Sequence, residues 1–275
     1  MSTVYHPSTA LLALDEASLA AVLDHARGRR IQPSARQSLA DAGMLVADQL
    51  DPPLLPVVAP LLAGGPRIRL LSRARGRLTV TDAAFVPARP GTPDRPGAAV
   101  GAAGAGRASG AGGATVVVRP PDSAVLHVRH SRAGAVTRVL AATVGLGPHV
   151  LGEVPFRTPL DLRDWAVVRS GFDSATPSGW VRRRHWAELH EMRWAPTPGT
   201  RAATALVVAR LDGGLAEIRP RDSGDGVFTV TAADTTSVWR RLCALTTGGG
   251  AAQGHRPEAG PTPEHQPESS VETTS

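Results

Sequence analysis

Apolar positions along this chain alternate between two spacings. Period-two runs predict strands at Arg67–Ser72, Arg77–Asp82, Thr115–Val118, Ala124–Arg129, Trp186–Trp194, Thr204–Arg210, Gly214–Arg219 and Val227–Thr231. Turn residues separate them: Gly76, the run Pro120–Ser123, the triplet Asp212-Gly213-Gly214 and the run Asp222–Gly226. Helical spacing predicts helices elsewhere. Leu14–Arg27 has Asp15 as a candidate N-cap, a stripe of Leu19, Val22 and Leu23, and a stop at Gly28. Pro33–Ala42 is closed by Gly43. Pro52 and Pro53 open a short helical segment, and Pro60 argues against a long one. Thr158–Arg169 has Pro159 at a plausible first helical position, with Leu162, Trp165, Ala166 and Arg169 at helical spacing.

One pattern occurs twice. Val125–Gly145 and Val227–Thr247 align without a gap at an offset of 102 residues. Val125 falls on Val227, Val128 on Val230, Val136 on Val238, Arg138 on Arg240, Leu140 on Leu242 and Ala142 on Ala244. Each copy reads as strand, polar turn, amphipathic helix, the helices being Arg132–Val144 and Asp234–Leu245. The expected fold class is therefore α+β: a mixed, largely antiparallel sheet flanked by helices, in two pseudo-symmetric halves. The expected domain is residues 1–248, with halves at about 10–145 and 146–248. Pro87–Ala114 is rich in Gly, Ala and Pro and predicts a mobile internal loop; residues 249–275 predict a disordered tail.

Composition narrows the partners. The chain has 42% hydrophobic residues but only 4% aromatics, so Leu, Val and Ala carry the packing. All 30 basic residues are Arg, and Asn is absent as well. Both missing residues have A-rich codons, which points to a GC-rich, actinobacterial genome. Formal charge is +6, unevenly spread: residues 249–275 carry four Glu against Arg256, net −3, leaving +9 on residues 1–248. A basic body attracts acidic partners or nucleic acid, but only Arg182–Arg184 forms a dense basic run. The lone Cys243 excludes an internal disulfide. The amino-terminal run lacks a basic n-region and is broken by Asp15 and Glu16, and no apolar stretch approaches the about 18 residues of a membrane span. A cytoplasmic location is expected.

Candidate chemistry is sparse. His185, Glu188, His190 and Glu191 are out of register for a zinc helix, and the segment reads better as a strand with Trp186, Glu188, His190, Met192 and Trp194 on one face. The run Asp222–Gly226 is too short for a calcium loop. Gly104-Ala105-Gly106 lacks the register of a phosphate loop. Cys243 falls on Ala141 in the repeat, which suggests a small packed position. Trp180–Trp186 interleaves aromatics with arginine, a pattern able to stack on bases or grip a partner. No catalytic residue, cofactor or metal is assigned.

Three segments resemble the EspG family, cytosolic chaperones of actinobacterial type VII (ESX) secretion. ALDEASLAAVLD and the following SARQSLADAGMLVADQLDPPLLPVVAPLLAGGPRIRL resemble that family's opening helix, short helix and strand. ATALVVARLDGGLAEIRP and VFTVTAADTTSVWRRLCAL resemble its closing hairpin, strand and helix. The two-half plan is the third likeness. Leu211-Asp212-Gly213-Gly214-Leu215 stands where the family carries an aspartate–threonine–aspartate hairpin, and so departs from it. The resemblance implies no enzyme activity, and binding to the apolar tip of a secreted helical substrate, PE/PPE-like or WXG-type. It also implies a partner-contacting loop at Pro87–Ala114. Candidate contacts are therefore Arg89, Arg95 and Arg107 on that loop, joined by Trp180, Arg182 and Trp186. A nucleic-acid-associated protein and an enzyme of unrecognised type are the competing readings.

Overall fold

The computed structural model describes residues 4–6, 11–86, 113–146, 157–170, 186–197, 199–200, 203–211, 214–221 and 226–246. Eleven strands join in one sheet: β1 (Val4–His6), β2 (Leu11–Leu14), β5 (Arg67–Ala74), β6 (Arg77–Phe85), β7 (Gly113–Arg119), β8 (Leu126–Arg132), β9 (Arg157–Leu160), β10 (Trp186–Ala195), β11 (Ala203–Leu211), β12 (Gly214–Pro220) and β13 (Phe228–Ala233). A separate short hairpin pairs β3 (Leu45–Val46) with β4 (Gln49–Leu50). The helices are α1 (Glu16–Ala26), α2 (Pro33–Asp41), α3 (Leu55–Leu62), α4 (Ala133–Thr143), α5 (Leu162–Ser170) and α6 (Thr235–Thr246). The fold is α+β, and every neighbouring strand pair is antiparallel.

The strand order is β1-β2-β8-β7-β6-β5-β10-β11-β12-β13-β9. Outward from the β5–β10 seam, both sides run as a four-strand meander closed by a short strand: β5-β6-β7-β8-β2 and β10-β11-β12-β13-β9. At the seam Leu70 pairs with Met192, flanked by Ser72–His190 and Ile68–Trp194. Exchanging the halves maps these pairs onto one another, so a pseudo-twofold axis passes through Leu70–Met192. The outer pairs obey it too: Leu14 opposes Leu126 as Leu160 opposes Phe228.

Local chemistry sets the boundaries. Asp15 accepts from the Ser18 N–H at 2.7 Å and starts α1. The β5–β6 hairpin turns through Arg75 and Gly76 at φ 52° and 72°, the left-handed pair a two-residue hairpin requires. Pro60 lies inside α3, which stops two residues later at Leu62. Three expectations are corrected. The segment Arg157–Leu160 is an edge strand rather than the start of a helix; Pro159 lacks an N–H, which an edge position tolerates. Leu11–Leu14 is likewise a strand, and the helix starts only after the Asp15 cap. Gly113 and Ala114 belong to β7 rather than to the preceding loop; residues 87–112 and 249–275 lie outside the described residues.

The two faces of the sheet are covered differently. On one, the repeat helices α4 and α6 pack together over the seam, and Thr137 and Thr246 share a hydrogen bond of 2.6 Å. Their Val136, Leu140, Val238 and Leu242 join Ile68, Leu70, Met192 and Val208 in a single core. On the other face, α1, α2 and α3 cover one half around Leu12, Leu14 and Val128, while α5 covers the second half around Trp165, Ile218 and Val230. Leu140 and Leu242 therefore share a core. Val128 and Val230 hold equivalent places in two different cores. No helix among the described residues is long and apolar enough to cross a membrane.

Candidate partner-binding surface

Of the six predicted contact residues, Trp186 alone is described; Arg89, Arg95, Arg107, Trp180 and Arg182 lie outside the described residues. Trp186 does not share a face with Glu188, His190, Met192 and Trp194. A register shift between Trp186 and Glu188 on the β10–β11 ladder rotates it to the opposite side. There it is half-buried against the cluster that holds Trp165 and Leu160 beneath α5. A bulge leaves no mark in an alternating apolar pattern, so the sequence could not reveal it.

The same strand separates the members of the set rejected above as a zinc helix. Glu188 and His190 point to the paired-helix face, and Glu191 to the other. His185 lies outside the described residues. His190 bridges the seam: its Nδ1 is 3.0 Å from Ser72 Oγ and its Nε2 3.2 Å from Glu188 Oε2. Arg210 reaches Glu188 at 3.4 Å and donates to the Gly145 carbonyl at 3.0 Å. Burial holds the His190 pKa below its ordinary value, against the opposing pull of Glu188. The order Ser–His–Glu matches a nucleophile relay. Ser72 is 7% exposed and His190 3%, on adjacent strands beneath the paired helices. What the group does is satisfy buried polar atoms across the junction of the halves. Cys243, expected to be packed, is half-buried on α6 and lies outside the apolar clusters.

On the other face, among the described residues, Leu71, Leu78 and Val80 of the middle strands belong to neither the cluster under α1–α3 nor the cluster under α5. Cross-strand registers place its side chains in rows. Arg193, Arg69 and Asp82 form one row, Glu191, Leu71, Val80 and Arg119 the next, and Leu189, Arg73 and Leu78 the third. Arg69, Leu78 and Arg119 are exposed; Leu71, Arg73, Val80 and Arg193 are half-buried. Arg69 and Arg193 stand directly opposite, an unfavourable pairing of like charges. Each turns to its own carboxylate. Arg69 grips Asp82 through Nε at 2.7 Å, and Arg193 meets Glu191 at 2.7 Å. The hydrogen bond to Asp82 raises the Arg69 pKa further. Glu191 is buried and also accepts from Arg169 at 3.1 Å and Thr204 at 3.2 Å. Arg119 reaches Glu16 at 3.2 Å. Arg67 and Arg73 have no carboxylate within ion-pair distance among the described residues. The strip thus has an apolar centre of Leu71, Val80 and Leu78 bordered by arginines, of which Arg69, Arg119 and Arg193 are ion-paired and Arg67 donates to the Leu61 carbonyl.

Sequence reasoning missed this strip. Its members come from four strands, and in each strand they read as the polar half of an ordinary alternation. Their convergence depends on the β5–β10 pairing, which has no local signature. No protein-family model matches this chain, and no curated protein matches it.

Proposed function

We propose that the protein is a non-catalytic chaperone or adaptor that holds a secreted helical protein of a type VII (ESX) system soluble in the cytoplasm. The observation that carries this reading is the middle of the divided face, whose apolar side chains belong to neither cluster among the described residues. Leu71, Val80 and Leu78 are presented between arginines, with helices packed on either side. An apolar centre with a polar rim is the anatomy of a protein-binding patch. The resemblance of the opening and closing segments to EspG chaperones supplies the class of partner. Buried polar groups such as Ser72 and His190 are spent on holding the halves together, which fits a scaffold rather than a reaction centre.

Co-expression with the WXG-type or PE/PPE-like proteins encoded beside its gene tests the reading. A complex that survives gel filtration at moderate salt is the expected result. Absence of any such complex, together with oligonucleotide binding whose affinity falls steeply as salt rises, would replace this reading by the nucleic-acid one.

A further inference from the structure

We propose that β1 is an exchangeable strand: two copies of the chain trade Val4–His6, each laying it on the other's β2 and each donating its Tyr5 hydroxyl to the other's Asp51. The exchange does not depend on what the protein carries.

The pseudo-twofold marks β1 as an addition to the fold. Each half is a meander closed by a short strand, β2 or β9, and β1 lies outside β2. Among the described residues no strand lies outside β9. The two closing strands match residue by residue. Ala13 opposes His127 as Pro159 opposes Thr229, one repeat length further on. Antiparallel ladders turn successive amides to alternate sides, and a proline sits in one where its nitrogen faces out. The amide of Ala13 therefore faces β1, where Val4 stands opposite, while the same place in β9 has no N–H to offer. Arg157 adds a charge to that edge. One half thus has an edge that accepts a strand, and the other an edge that discourages one.

The accepting edge selects its occupant. Among the described residues β1 pairs with β2 alone; it is three residues long and leaves Val4 42% exposed. Tyr5 anchors it. The ring packs against the cluster under α1–α3, and the hydroxyl donates to Asp51 Oδ2 at 2.8 Å. Burial and the bond to Asp51 push the Tyr5 pKa up to about 12, so the hydroxyl keeps its proton for that bond at neutral pH. Asp51 is fixed independently of β1: its N–H donates to the Met44 carbonyl, and its own carbonyl accepts from Leu54. A copy that releases β1 therefore keeps the acceptor in place and leaves the edge of β2 unpaired, which is costly. The sequence that fills this edge is Val4–His6, and every copy carries it. Exchange remakes the same contacts, so it costs little beyond association. Residues 7–10 are the whole link between β1 and β2 in the sequence, and short links favour exchange over reclosing.

The test uses the full chain with Cys243→Ala, so that no native thiol interferes. Val4 and Ala13 stand directly opposite, at a separation of about 5.5 Å that a disulfide spans. A Val4→Cys chain is incubated with an Ala13→Cys chain and then oxidised, after unchanged thermal melts have shown both to be folded. Non-reducing gels should show a covalent heterodimer that increases with protein concentration. Val4→Cys and Ala13→Cys placed in one chain should lock the strand at home and stop the exchange. Tyr5→Phe breaks the same bond in the monomer and in the exchanged dimer. It should speed heterodimer formation severalfold and leave the dimer fraction in gel filtration unchanged. A peptide of residues 2–7 should suppress the heterodimer, and a scrambled peptide should not. Absence of heterodimer at every concentration overturns the proposal. So does preferential joining of two Val4→Cys chains, which would mean edge-to-edge pairing of β1. Equal competition by the scrambled peptide would overturn it too, by showing an edge open to any extended chain. A Tyr5→Phe effect on the equilibrium instead of the rate would show that Tyr5 does not change partners.

Discussion

The two faces of this sheet are built from the same strands, yet one carries a single core and the other carries two. On the paired-helix face, α4 and α6 touch each other across the pseudo-twofold axis and bury Leu140 and Leu242 completely. On the divided face, α1–α3 and α5 each cover their own half, and Leu126–Val128 and Phe228–Val230 never share neighbours. The contrast assigns different work to each side. The continuous core packs the two halves against one pair of helices, whereas on the divided side Leu71, Val80 and Leu78 belong to neither cluster among the described residues. A second helix pair there would bury the strip and leave nothing for a partner.

Injuring each face in turn shows how far damage travels through the molecule. Leu242→Ala removes a side chain with no exposure from the shared core. A cost of about 2–5 kcal/mol is expected for such a truncation. Because both halves contribute to that core, denaturant melts followed by far-ultraviolet circular dichroism and by tryptophan fluorescence should move together. Two separated transitions would show that the halves fold independently and that the shared core is not what couples them.

Glu191→Ala strikes the border of the strip. It leaves Arg169, Arg193 and Thr204 without their common acceptor. Both arginines are partly open to water, so the loss should be about 1–3 kcal/mol rather than that of a fully buried pair. Calorimetry should show this loss with little change in the cooperativity of unfolding. A cost larger than that of Leu242→Ala would reverse the ranking of the two faces.

Asp15→Ala removes the cap of α1, which packs on the divided face of one half only. The expected cost is about 1 kcal/mol. Hydrogen exchange should report it in α1 and its neighbours and spare α5, the counterpart helix. Equal loosening of α5 would mean that the two clusters on this face communicate.

How far these features could be read from the sequence follows the range of the interactions. The alternation of Arg67–Ser72 and Thr204–Arg210 and the stripe of α1 are local, and the structure places elements there. The 102-residue repeat correctly placed Leu140 and Leu242 in equivalent positions. Leu14 was read as the start of the helix because an apolar residue directly before a helix cap looks like the helix itself, and the strand Leu11–Leu14 went unread. Arg157–Leu160 was hidden because Pro159 suits a helix start as well as an edge strand. The bulge at Trp186 and the seam between β5 and β10 are tertiary facts, and they decide the candidate surface. The residues first suggested for it came from composition-biased segments. The arginines that converge on the strip came from strands where each looked like a solvated position.

The smallest effect belongs to the polar group beneath the shared core, and at neutral pH it should vanish. His190 is neutral in the folded protein because burial lowers its pKa below the ordinary 6.5. In the unfolded chain it takes up a proton at its ordinary pKa. Above that value the imidazole is uncharged in both states, so it makes stability no function of pH. Below it the unfolded state binds the proton first, and stability falls with pH until the folded pKa is reached. Protonation also ends the ability of Nδ1 to accept from Ser72, while Glu188 and Arg210, the charged groups facing the ring, pull in opposite directions. His190→Gln keeps a polar side chain at the seam but cannot titrate. Relative to this variant, the parent protein should lose melting temperature as pH falls from 6.5 towards 5, and the two curves should run parallel above pH 7. A parent protein whose stability rises as pH drops through this window would mean that Glu188 outweighs burial and that the imidazole is held as a cation.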